Sequence, residues 1–218
     1  MIVSVEGCIG TGKSTFIELI KQQYKDKPII FLQEPLDKWL QLKDSDNENI
    51  LEKFYKDQKR WSYSFQMNAF ITRSKQILEN NPKDSIIVIE RSVITDRRVF
   101  AELLKESGKI SDMEWELYNQ WYYWLTENFN VIPDMYVYLR ANSDVSFERM
   151  KKRARKEEDI IPKEYIEAVS KKHDDWLFNE HKSLVITIDV NNDFEKDIEF
   201  RQNILKIFSD ILDQRLNK

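Results

Sequence analysis

Near the start of the chain, the segment from Gly7 to Ser14 has the pattern G-x-x-x-x-G-K-S. Glycines in such a pattern let the backbone turn so that successive N–H groups point at phosphate oxygens. Lys13 is then placed to bridge the β and γ phosphates of a nucleoside triphosphate, and Ser14 to put its hydroxyl on Mg²⁺. The pattern follows an apolar run and precedes residues with helical spacing, the context in which a phosphate-binding loop forms. It predicts nucleotide binding but leaves the phosphate acceptor open.

Charged residues close two of the later apolar runs. Glu34 follows the run at 29–32 and precedes Pro35, which fixes a turn. Phosphoryl transfer to a hydroxyl needs a carboxylate to accept the proton, and ligands bind at the strand tips of parallel sheets. Glu90 and Arg91 end the most apolar run, where buried charges require a partner. The alternatives are a solvated loop acid at Glu34 and a purely structural ion pair at Glu90 and Arg91.

A stretch with helical spacing at 60–78 carries polar residues on one face. Gln66, Ala69 and Arg73 fall at positions i, i+3 and i+7, so they share that face. A Gln side chain both donates and accepts hydrogen bonds, as the edge of a pyrimidine or purine requires. This face is predicted to form a polar notch for a base, and the alternative is that it faces solvent.

Short apolar runs alternate with segments of helical spacing, which predicts an α/β fold with five parallel strands flanked by helices. With the phosphate loop, this is the P-loop NTPase fold, and the length suits one domain spanning residues 1–218. Strands are predicted at 2–5, 29–32, 86–89, 135–139 and 184–188. Helices are predicted at 13–24, 36–39, 48–55, 60–78, 93–104, 114–129, 145–153, 163–178 and 194–212.

The overall composition argues against several classes of protein. A formal net charge of −4 and a pI of about 5.5 disfavour nucleic-acid binding, which usually requires a basic surplus. Cys8 is the single cysteine, so an intrachain disulfide or a multi-thiolate zinc site cannot form. No apolar run is long enough to span a bilayer, and the first residues lack a leader pattern. We therefore expect a cytoplasmic protein that binds neither membrane nor nucleic acid.

An ordered series of segments resembles the deoxynucleoside kinase family, and most of all its deoxycytidine kinases. Beyond the phosphate loop, the matching segments are LQEPLDKW, RWSYSFQ, IERSVITDR, EWELYNQWYYWL, IPKEY and IDVNNDF. The resemblance covers nearly the whole chain, and the combination is far more specific than the loop alone. It implies transfer of the γ-phosphoryl group of ATP, or of UTP, to the 5′-hydroxyl of a deoxynucleoside, with Mg²⁺. The aromatic segment EWELYNQWYYWL suggests core packing first and, by resemblance, part of a homodimer contact.

On the donor side, the resemblance implies that Lys13 and the loop backbone bind the phosphates, with Ser14 and Glu90 as magnesium contacts. An arginine-rich lid at about 151–160 would close over them. Arg149 and Arg153 lie four residues apart on one helix face, which is the spacing of the family's lid. The implied ATP-binding residues are Gly7, Cys8, Ile9, Gly10, Thr11, Gly12, Lys13, Ser14, Thr15, Arg149, Arg153, Arg155 and, in the loop that touches the donor base, Asp193 and Phe194.

On the acceptor side, Glu34 resembles the general base, and Arg91 resembles the arginine that neutralises charge at the transfer site and holds that base. Tyr55 and Glu158 resemble the pair that binds the sugar 3′-hydroxyl. Gln66 resembles the residue that pairs with the base edge. The implied aromatic walls around the base are Trp39, Phe65 and Phe100.

The choice of base in the family depends on three positions, here Ala69, Arg73 and Asp96. As an ion pair, Arg73 and Asp96 would face the 4-amino group of cytosine or the 6-position of a purine. A thymine methyl would press against these charges, and their desolvation would oppose binding. Small Ala69 matches the deoxycytidine kinase pattern. The resemblance therefore favours deoxycytidine, with deoxyadenosine and deoxyguanosine as additional or main substrates.

Two other functions compete with this interpretation. A nucleoside monophosphate kinase, such as thymidylate kinase, shares the loop and lid, but it needs extra cationic groups for its acceptor phosphate and leaves Glu34 without a role. A non-catalytic structural relative has no need of Lys13, Ser14, Glu34 and Arg91 together. The charged run KKRARKEED fits a lid better than a solvated helix end, and a nucleic-acid patch least of all.

Overall fold

The computed structural model describes residues 1–80, 85–180 and 184–216. Its centre is a sheet of five parallel strands, as the apolar runs predicted. The strands are β1 (Ile2–Glu6), β2 (Ile29–Leu32), β3 (Ile86–Glu90), β4 (Met135–Arg140) and β5 (Leu184–Asp189). They lie in the order β2-β3-β1-β4-β5, so the strand that leads into the phosphate loop is in the middle. The strand order reverses at β1, which opens a crevice at the carboxyl ends of the strands.

Helices connect the strands and cover the sheet. They are α1 (Lys13–Gln23), α2 (Leu36–Gln41), α3 (Ile50–Lys56), α4 (Gln58–Glu79), α5 (Val93–Thr95), α6 (Glu102–Glu106), α7 (Asp112–Asn128), α8 (Ser143–Arg153), α9 (Lys163–Leu177) and α10 (Ile198–Leu216). A π-helical segment, Asp96–Ala101, joins α5 to α6, and a 3₁₀ turn, Lys156–Glu158, follows α8. Among the described residues, none of these helices has both the length and the apolar composition that crossing a membrane requires.

Two helices differ from the sequence-based prediction. The single helix expected at 93–104 is interrupted by the π-helical segment, which adds a residue to one turn and which side-chain periodicity does not reveal. The helix expected from residue 194 begins at Ile198. Asp193 forms a turn before it, because its backbone oxygen accepts hydrogen bonds from the N–H groups of Lys196 and Asp197.

Apolar side chains form a separate core on each face of the sheet. On one face, Ile87 and Ile89 of β3 pack with residues of α4 and α7. On the other face, α1 and α10 cover the sheet, and Phe16 meets Phe208 edge to face with ring centroids 5.6 Å apart. Every residue of β1 and β3 is therefore buried, as expected for central strands of a parallel sheet with both faces covered.

The aromatic residues of α7 divide between the core and the surface. Tyr118 and Tyr122 are buried, whereas Trp121 and Trp124 are 53% and 50% exposed. Core packing, the first expectation for this segment, is therefore wrong for the two tryptophans. Their rings meet edge to face on the outside of the helix, with centroids 5.9 Å apart.

Candidate active site

The phosphate loop wraps around the N-terminus of α1, which begins at Lys13. Lys13 Nζ donates a hydrogen bond to the backbone oxygen of Cys8 at 2.8 Å, which ties the helix start to the beginning of the loop. The Thr11 hydroxyl donates to the same oxygen at 3.1 Å. The N–H groups in the first turn of a helix lack intrahelical partners and carry partial positive charge. The loop is therefore suited to bind an anion.

Two glycines of the loop are required by their backbone conformation and by close neighbours. Gly10 and Gly12 both have φ of +87°, a left-handed conformation that glycine adopts without strain. A Cβ on Gly10 would collide with the backbone oxygen of Ser146. A Cβ on Gly12 would lie 2.8 Å from the ring of Phe194. Phe194 was expected to touch the donor base, but its ring is buried in the core beneath Gly12 instead.

Lys13 is buried and lies within electrostatic reach of acids from two strands. Burial, and then the positive charge of Arg91, lower the pKa of Lys13 to about 7, although Glu90 and Glu34 oppose the shift. A buried amine with this pKa gains charge readily when an anion binds beside it. The electrostatic coupling also shows that the phosphate loop and Glu34 belong to one site.

Glu34 follows β2 and is held by two arginines. Its Oε1 accepts hydrogen bonds from Arg91 Nη1 at 2.9 Å and from Arg73 Nη2 at 3.1 Å. Burial alone would raise the pKa of Glu34, but Arg91, Arg73 and Lys13 together lower it to about 2. The carboxylate is therefore ionised at neutral pH, as a proton acceptor has to be.

Arg73 connects Glu34 to a second acid, Asp96. Its Nε and Nη2 donate to the two carboxylate oxygens of Asp96 at 2.9 and 3.2 Å, and its Nη1 donates to the backbone oxygen of Glu90 at 2.7 Å. The side chains of Arg73 and Asp96 are each 3% exposed, and they form the ion pair expected across the pocket. Burial raises the pKa of Asp96, and the charge of Arg73 only partly offsets this.

A cavity of about 440 Å³ joins the phosphate loop to the acceptor residues. Gln66, Ala69 and Arg73 are buried and line it, so this face of α4 is not solvated. The predicted site residues that line the cavity are Ile9, Gly10, Gly12, Lys13, Ser14, Thr15, Glu34, Trp39, Tyr55, Phe65, Gln66, Ala69, Arg73, Glu90, Arg91, Asp96, Phe100, Arg149, Arg153, Arg155, Glu158 and Asp193. The predicted residues outside its lining are Gly7, Cys8, Thr11 and Phe194.

Aromatic side chains form flat walls on the acceptor side of the cavity. Phe65 stacks on Phe54 with ring centroids 4.6 Å apart and meets Trp39 edge to face at 5.3 Å. The Arg91 guanidinium lies 5.2 Å from the ring centroid of Phe100. Apolar walls with a few fixed polar groups are typical of sites for planar ligands.

The arginine-rich segment after α8 bonds to its own acid. Arg153 Nη2 donates to both carboxylate oxygens of Glu158 at 2.7 Å, and Arg155 Nη1 donates to one of them at 3.3 Å. Arg149 donates instead to backbone oxygens of residues 190–192 at 2.7 to 3.0 Å. All three arginines border the cavity, and each already donates hydrogen bonds within the protein. A triphosphate would compete with these partners.

Ser14 and Glu90 would hold a magnesium ion. The Ser14 hydroxyl donates to Glu90 Oε1 at 3.0 Å, so the two oxygens already lie together beside the phosphate loop. Mg²⁺ prefers oxygen ligands and commonly binds one or two carboxylates together with substrate phosphates. Within residues 1–80, 85–180 and 184–216, no group of three or more His, Cys, Asp or Glu side chains could hold a metal. The residues present fit an ion that binds together with the donor phosphates.

The structure adds residues that sequence analysis did not assign. Tyr165, in the IPKEY segment, lines the cavity. Glu6 lies fully buried at the end of β1 and accepts hydrogen bonds from the Ser92 N–H and the Thr95 hydroxyl. A charged residue at the end of a buried strand, the signal that drew attention to Glu90, was equally visible at Glu6. The other unassigned lining residues are Leu36, Leu51, Phe54, Lys152 and Glu195.

Comparison with known protein families identifies the family of this chain. The family model described as deoxynucleoside kinase matches residues 3–213. The chain belongs to the deoxynucleoside kinase family. The probable deoxycytidine kinase of Fowlpox virus (strain NVSL) is 36% identical in an alignment 217 residues long, which covers 97% of this chain and 88% of that protein. The mitochondrial deoxyguanosine kinase of Xenopus laevis is 34% identical in an alignment 220 residues long, which covers 88% of this chain and 82% of that protein.

A third relative of this kinase is deoxycytidine kinase 2 of Gallus gallus, which is 33% identical in an alignment 224 residues long that covers 89% of this chain and 84% of that protein. The family match over residues 3–213 includes both the phosphate loop and the residues that line the cavity. This kinase is therefore an enzyme that moves a phosphoryl group from a nucleotide donor to a deoxynucleoside.

Proposed function

We propose that this kinase transfers the γ-phosphoryl group of ATP to the 5′-hydroxyl of deoxycytidine, with deoxyadenosine and deoxyguanosine as further substrates. The observation that carries the proposal is one cavity, lined at one end by the phosphate loop with Lys13 and at the other by Glu34. The 5′-oxygen attacks the γ-phosphorus, the bond to the leaving ADP oxygen breaks, and Glu34 receives the proton. The product, a deoxynucleoside monophosphate, assigns the enzyme to nucleotide salvage.

The charged side chains around Glu34 stabilise the transferred group. Arg91 holds Glu34 and neutralises charge at the transfer site, while Lys13 contacts the donor phosphates. Ser14 and Glu90 would hold Mg²⁺, which would supply positive charge to the donor phosphates. Since these groups are held in place before substrates bind, little reorganisation is needed during the reaction.

Acceptor recognition divides between the sugar and the base. Tyr55 and Glu158 bind the 3′-hydroxyl, and Gln66 pairs with the base edge. The Asp96 carboxylate, fixed by Arg73, accepts a hydrogen bond from the exocyclic amino group of cytosine. A thymine would press its methyl group against the buried pair of Arg73 and Asp96, and the desolvation of these charges opposes its binding.

Replacing Glu34 with Gln tests the catalytic assignment. The amide keeps the shape but cannot take a proton at neutral pH, so we expect kcat to fall by about 10²- to 10⁴-fold. The measurement is steady-state turnover of deoxycytidine with ATP, on protein whose circular dichroism matches the parent. Asp37→Asn, the same change on the exposed surface of α2, is the control. A Glu34→Gln enzyme with parental kcat would remove Glu34 from the mechanism.

An acceptor panel tests the substrate assignment. The four natural deoxynucleosides and their monophosphates are offered at equal concentration, with ATP or UTP as donor. Deoxycytidine should give the highest kcat/KM and thymidine the lowest. Thymidine as the best acceptor contradicts the role of Arg73 and Asp96, and a preference for monophosphates contradicts the nucleoside kinase assignment itself.

We also propose a homodimer formed through α4 and α7. The two helices border an apolar groove of about 480 Å³. It is flanked by half-exposed Ile71, Trp121 and Trp124. Contiguous exposed apolar area of this kind marks association sites, and a two-fold axis would bury the same patch on both copies. The chain should elute as a dimer in light-scattering chromatography and Trp121→Glu/Trp124→Glu as a folded monomer. A monomeric parent protein would contradict the proposal.

The remaining assignments concern organisation and location. We propose one catalytic domain spanning residues 1–218, with the segment at about 151–160 acting as a lid. A lid role is supported by Arg153 and Arg155, which border the cavity yet remain about one-third exposed. A cytoplasmic location is supported by the single cysteine, Cys8, which is buried and free. Cell fractionation with activity measurement tests that location.

A further inference from the structure

Three hydrogen bonds converge on the carboxylate of Glu6, at the end of β1. Its Oε1 accepts from the Ser4 hydroxyl at 2.6 Å and from the Ser92 N–H at 3.1 Å. Its Oε2 accepts from the Thr95 hydroxyl at 2.5 Å. The residue has no exposed surface and does not line the active-site cavity, so it cannot touch a substrate. An ionised side chain is costly to bury, and an apolar residue would fill the same volume without that cost.

Hydrogen bonds to Glu6 hold the turn at 91–96, which leads from β3 through α5 to the π-helical segment, at two points. Ser92 precedes α5, and Thr95 is its last residue. The turn begins at Arg91, whose φ of +60° is strained for a residue other than glycine. Inside the turn, the Ser92 hydroxyl accepts from the Thr95 N–H at 3.2 Å, and the Asp96 N–H donates to the Ser92 backbone oxygen at 3.2 Å. Glu6 therefore ties the whole turn to the central strand.

This turn carries two side chains that face the acceptor. Arg91, just before Ser92, bonds to Glu34, and Asp96, just after Thr95, bonds to Arg73. Asp96 is also the first residue of the π-helical segment, so the way the turn ends determines where its carboxylate points. A shift of the turn would displace the proposed transfer-site arginine and the proposed base-selecting acid together.

We propose that Glu6 is a positioning residue that sets both turnover and acceptor choice by fixing the turn at 91–96. The inference rests on the roles proposed above for Arg91 and Asp96. Among the described residues, the hydrogen-bond donors to the Glu6 carboxylate are Ser4 in β1 and Ser92 and Thr95 in this turn. None of these three residues belongs to the phosphate loop at 7–14. Glu6 therefore acts on the acceptor and on the transfer step, and not on donor binding.

Two variants disrupt the hydrogen bond between Glu6 and Thr95, one at each partner, and a third is a matched control. Glu6→Gln removes the charge and one acceptor, and Thr95→Val removes the hydroxyl that meets Oε2 while keeping the side-chain shape. Ser4→Ala removes the bond that runs back into β1 and leaves the turn attached. Each variant is assayed with deoxycytidine varied at saturating ATP, with ATP varied at saturating deoxycytidine, and with thymidine in competition.

Glu6→Gln and Thr95→Val should each lower kcat/KM for deoxycytidine by about 10- to 100-fold, because small displacements of catalytic groups have effects of that size. The preference for deoxycytidine over thymidine should also fall, while the KM for ATP and the Ser4→Ala enzyme should stay within about twofold of the parent. Lost stability with unchanged kinetic constants and preference would overturn the inference. So would a raised KM for ATP, or an effect of Ser4→Ala as large as that of Thr95→Val.

The variants Arg91→Lys and Asp96→Asn test the proposed roles of these two residues independently of Glu6. If those two variants are impaired while Thr95→Val is not, Glu6 has no positioning role and the proposed function stands. If those two variants match the parent enzyme, the proposed roles of Arg91 and Asp96 fail, and the inference fails with them. Should Glu6→Gln not fold, the comparison of Thr95→Val with Ser4→Ala still decides the question.

Discussion

The two ends of the cavity hold their arginines in different ways. At the acceptor end, the side chains of Arg73 and Arg91 are 3% and 6% exposed, and both bond to an acid that follows a strand of the sheet. At the donor end, Arg153 and Arg155 are 35% and 32% exposed, and they share one partner, Glu158, on their own segment. The acceptor end is therefore built into the sheet and α4, whereas the donor end is held by contacts within the lid segment.

The acceptor end of the cavity is therefore expected to be more rigid than the donor end. A deoxynucleoside meets charges that are fixed before it binds, which favours discrimination, because a wrong base leaves buried groups unpaired. In the proposed mode of donor binding, a triphosphate meets arginines that are already bonded to a carboxylate, and it competes with that carboxylate. Closing of the proposed lid over the donor would also exclude water from the transfer site.

The largest effect is expected from Arg73→Met. This change removes four hydrogen bonds, to Asp96, Glu34 and the backbone oxygen of Glu90. It leaves Asp96 without its cationic partner, whereas Glu34 keeps Arg91. Breaking a buried ion pair from one side costs about 3–5 kcal/mol. We expect the free energy of unfolding, measured in urea, to fall by that amount and deoxycytidine phosphorylation to be lost.

The matched change at the donor end is Arg153→Met. The Arg153 side chain is 35% exposed, and its buried partner Glu158 keeps Arg155, so the loss of stability should be well below that of Arg73→Met. A double variant, Arg73→Met/Asp96→Asn, should recover part of the lost stability, because no unpaired charge then remains at Asp96. Equal losses for the two single variants would remove the distinction between the two ends.

The charge of Lys13 should make ATP binding depend on pH, with an effect on affinity between those of the other variants. Its pKa of about 7 in the folded protein lies below the ordinary value of 10.5, so the unfolded chain holds more protons between these values. This group's contribution to stability is therefore present above pH 10.5 and is lost as pH falls through 7. Donor phosphates favour the charged amine, so ATP binding should take up a proton at pH 8.5, and its Kd should rise by up to about tenfold per pH unit.

Titration calorimetry of ATP at pH 8.5, in two buffers of different ionisation enthalpy, measures that proton uptake. A heat of binding that is the same in both buffers would show that Lys13 is already charged in the free protein. Lys13→Arg is the control, because a guanidinium stays protonated throughout this range. It should bind ATP without buffer-dependent heat, whatever its affinity.

The sequence predicts the five-stranded parallel sheet because its central strands have a distinctive apolar composition. β1 and β3 are short strands rich in Ile and Val, with every residue buried, as is typical of the centre of a parallel sheet. The phosphate loop and Gln66, Ala69 and Arg73 were found because their spacing is local, set by one loop and one helix. Where function depends on spacing along one element, the sequence is sufficient.

Contacts between distant elements were harder to predict. Glu6 meets Ser92 and Thr95 across 86 and 89 positions of sequence, and no local pattern reports that register. The π-helical segment that begins at Asp96 breaks helical periodicity without a glycine or proline to mark it. Phe194 was assigned to the donor base, but its apolar ring is more stable in the core beneath Gly12.

The smallest effect is expected from Glu158→Gln, which weakens the contacts that hold the lid segment. The amide bonds Arg153 and Arg155 less strongly than the carboxylate, so both arginines become more available to a triphosphate. The Glu158 side chain is 8% exposed, and its two arginine partners are about one-third exposed. Weakening hydrogen bonds of this kind changes the free energy by about 1 kcal/mol, so the KM for ATP should fall by at most about fivefold. The KM for deoxycytidine should rise instead, because Glu158 is the proposed partner of the sugar 3′-hydroxyl.

A fall in the KM for ATP together with a rise in the KM for deoxycytidine would show that the Glu158 carboxylate competes with phosphate for the two arginines. A lid segment that only loses its order would bind both substrates less well. Asp159→Asn makes the same chemical change at the exposed neighbour and should alter neither KM. If Glu158→Gln raises the KM for both substrates, the carboxylate orders the lid and does not compete with phosphate. The donor end would then be as firmly preorganised as the acceptor end, and the contrast between them would hold only for their exposure to solvent.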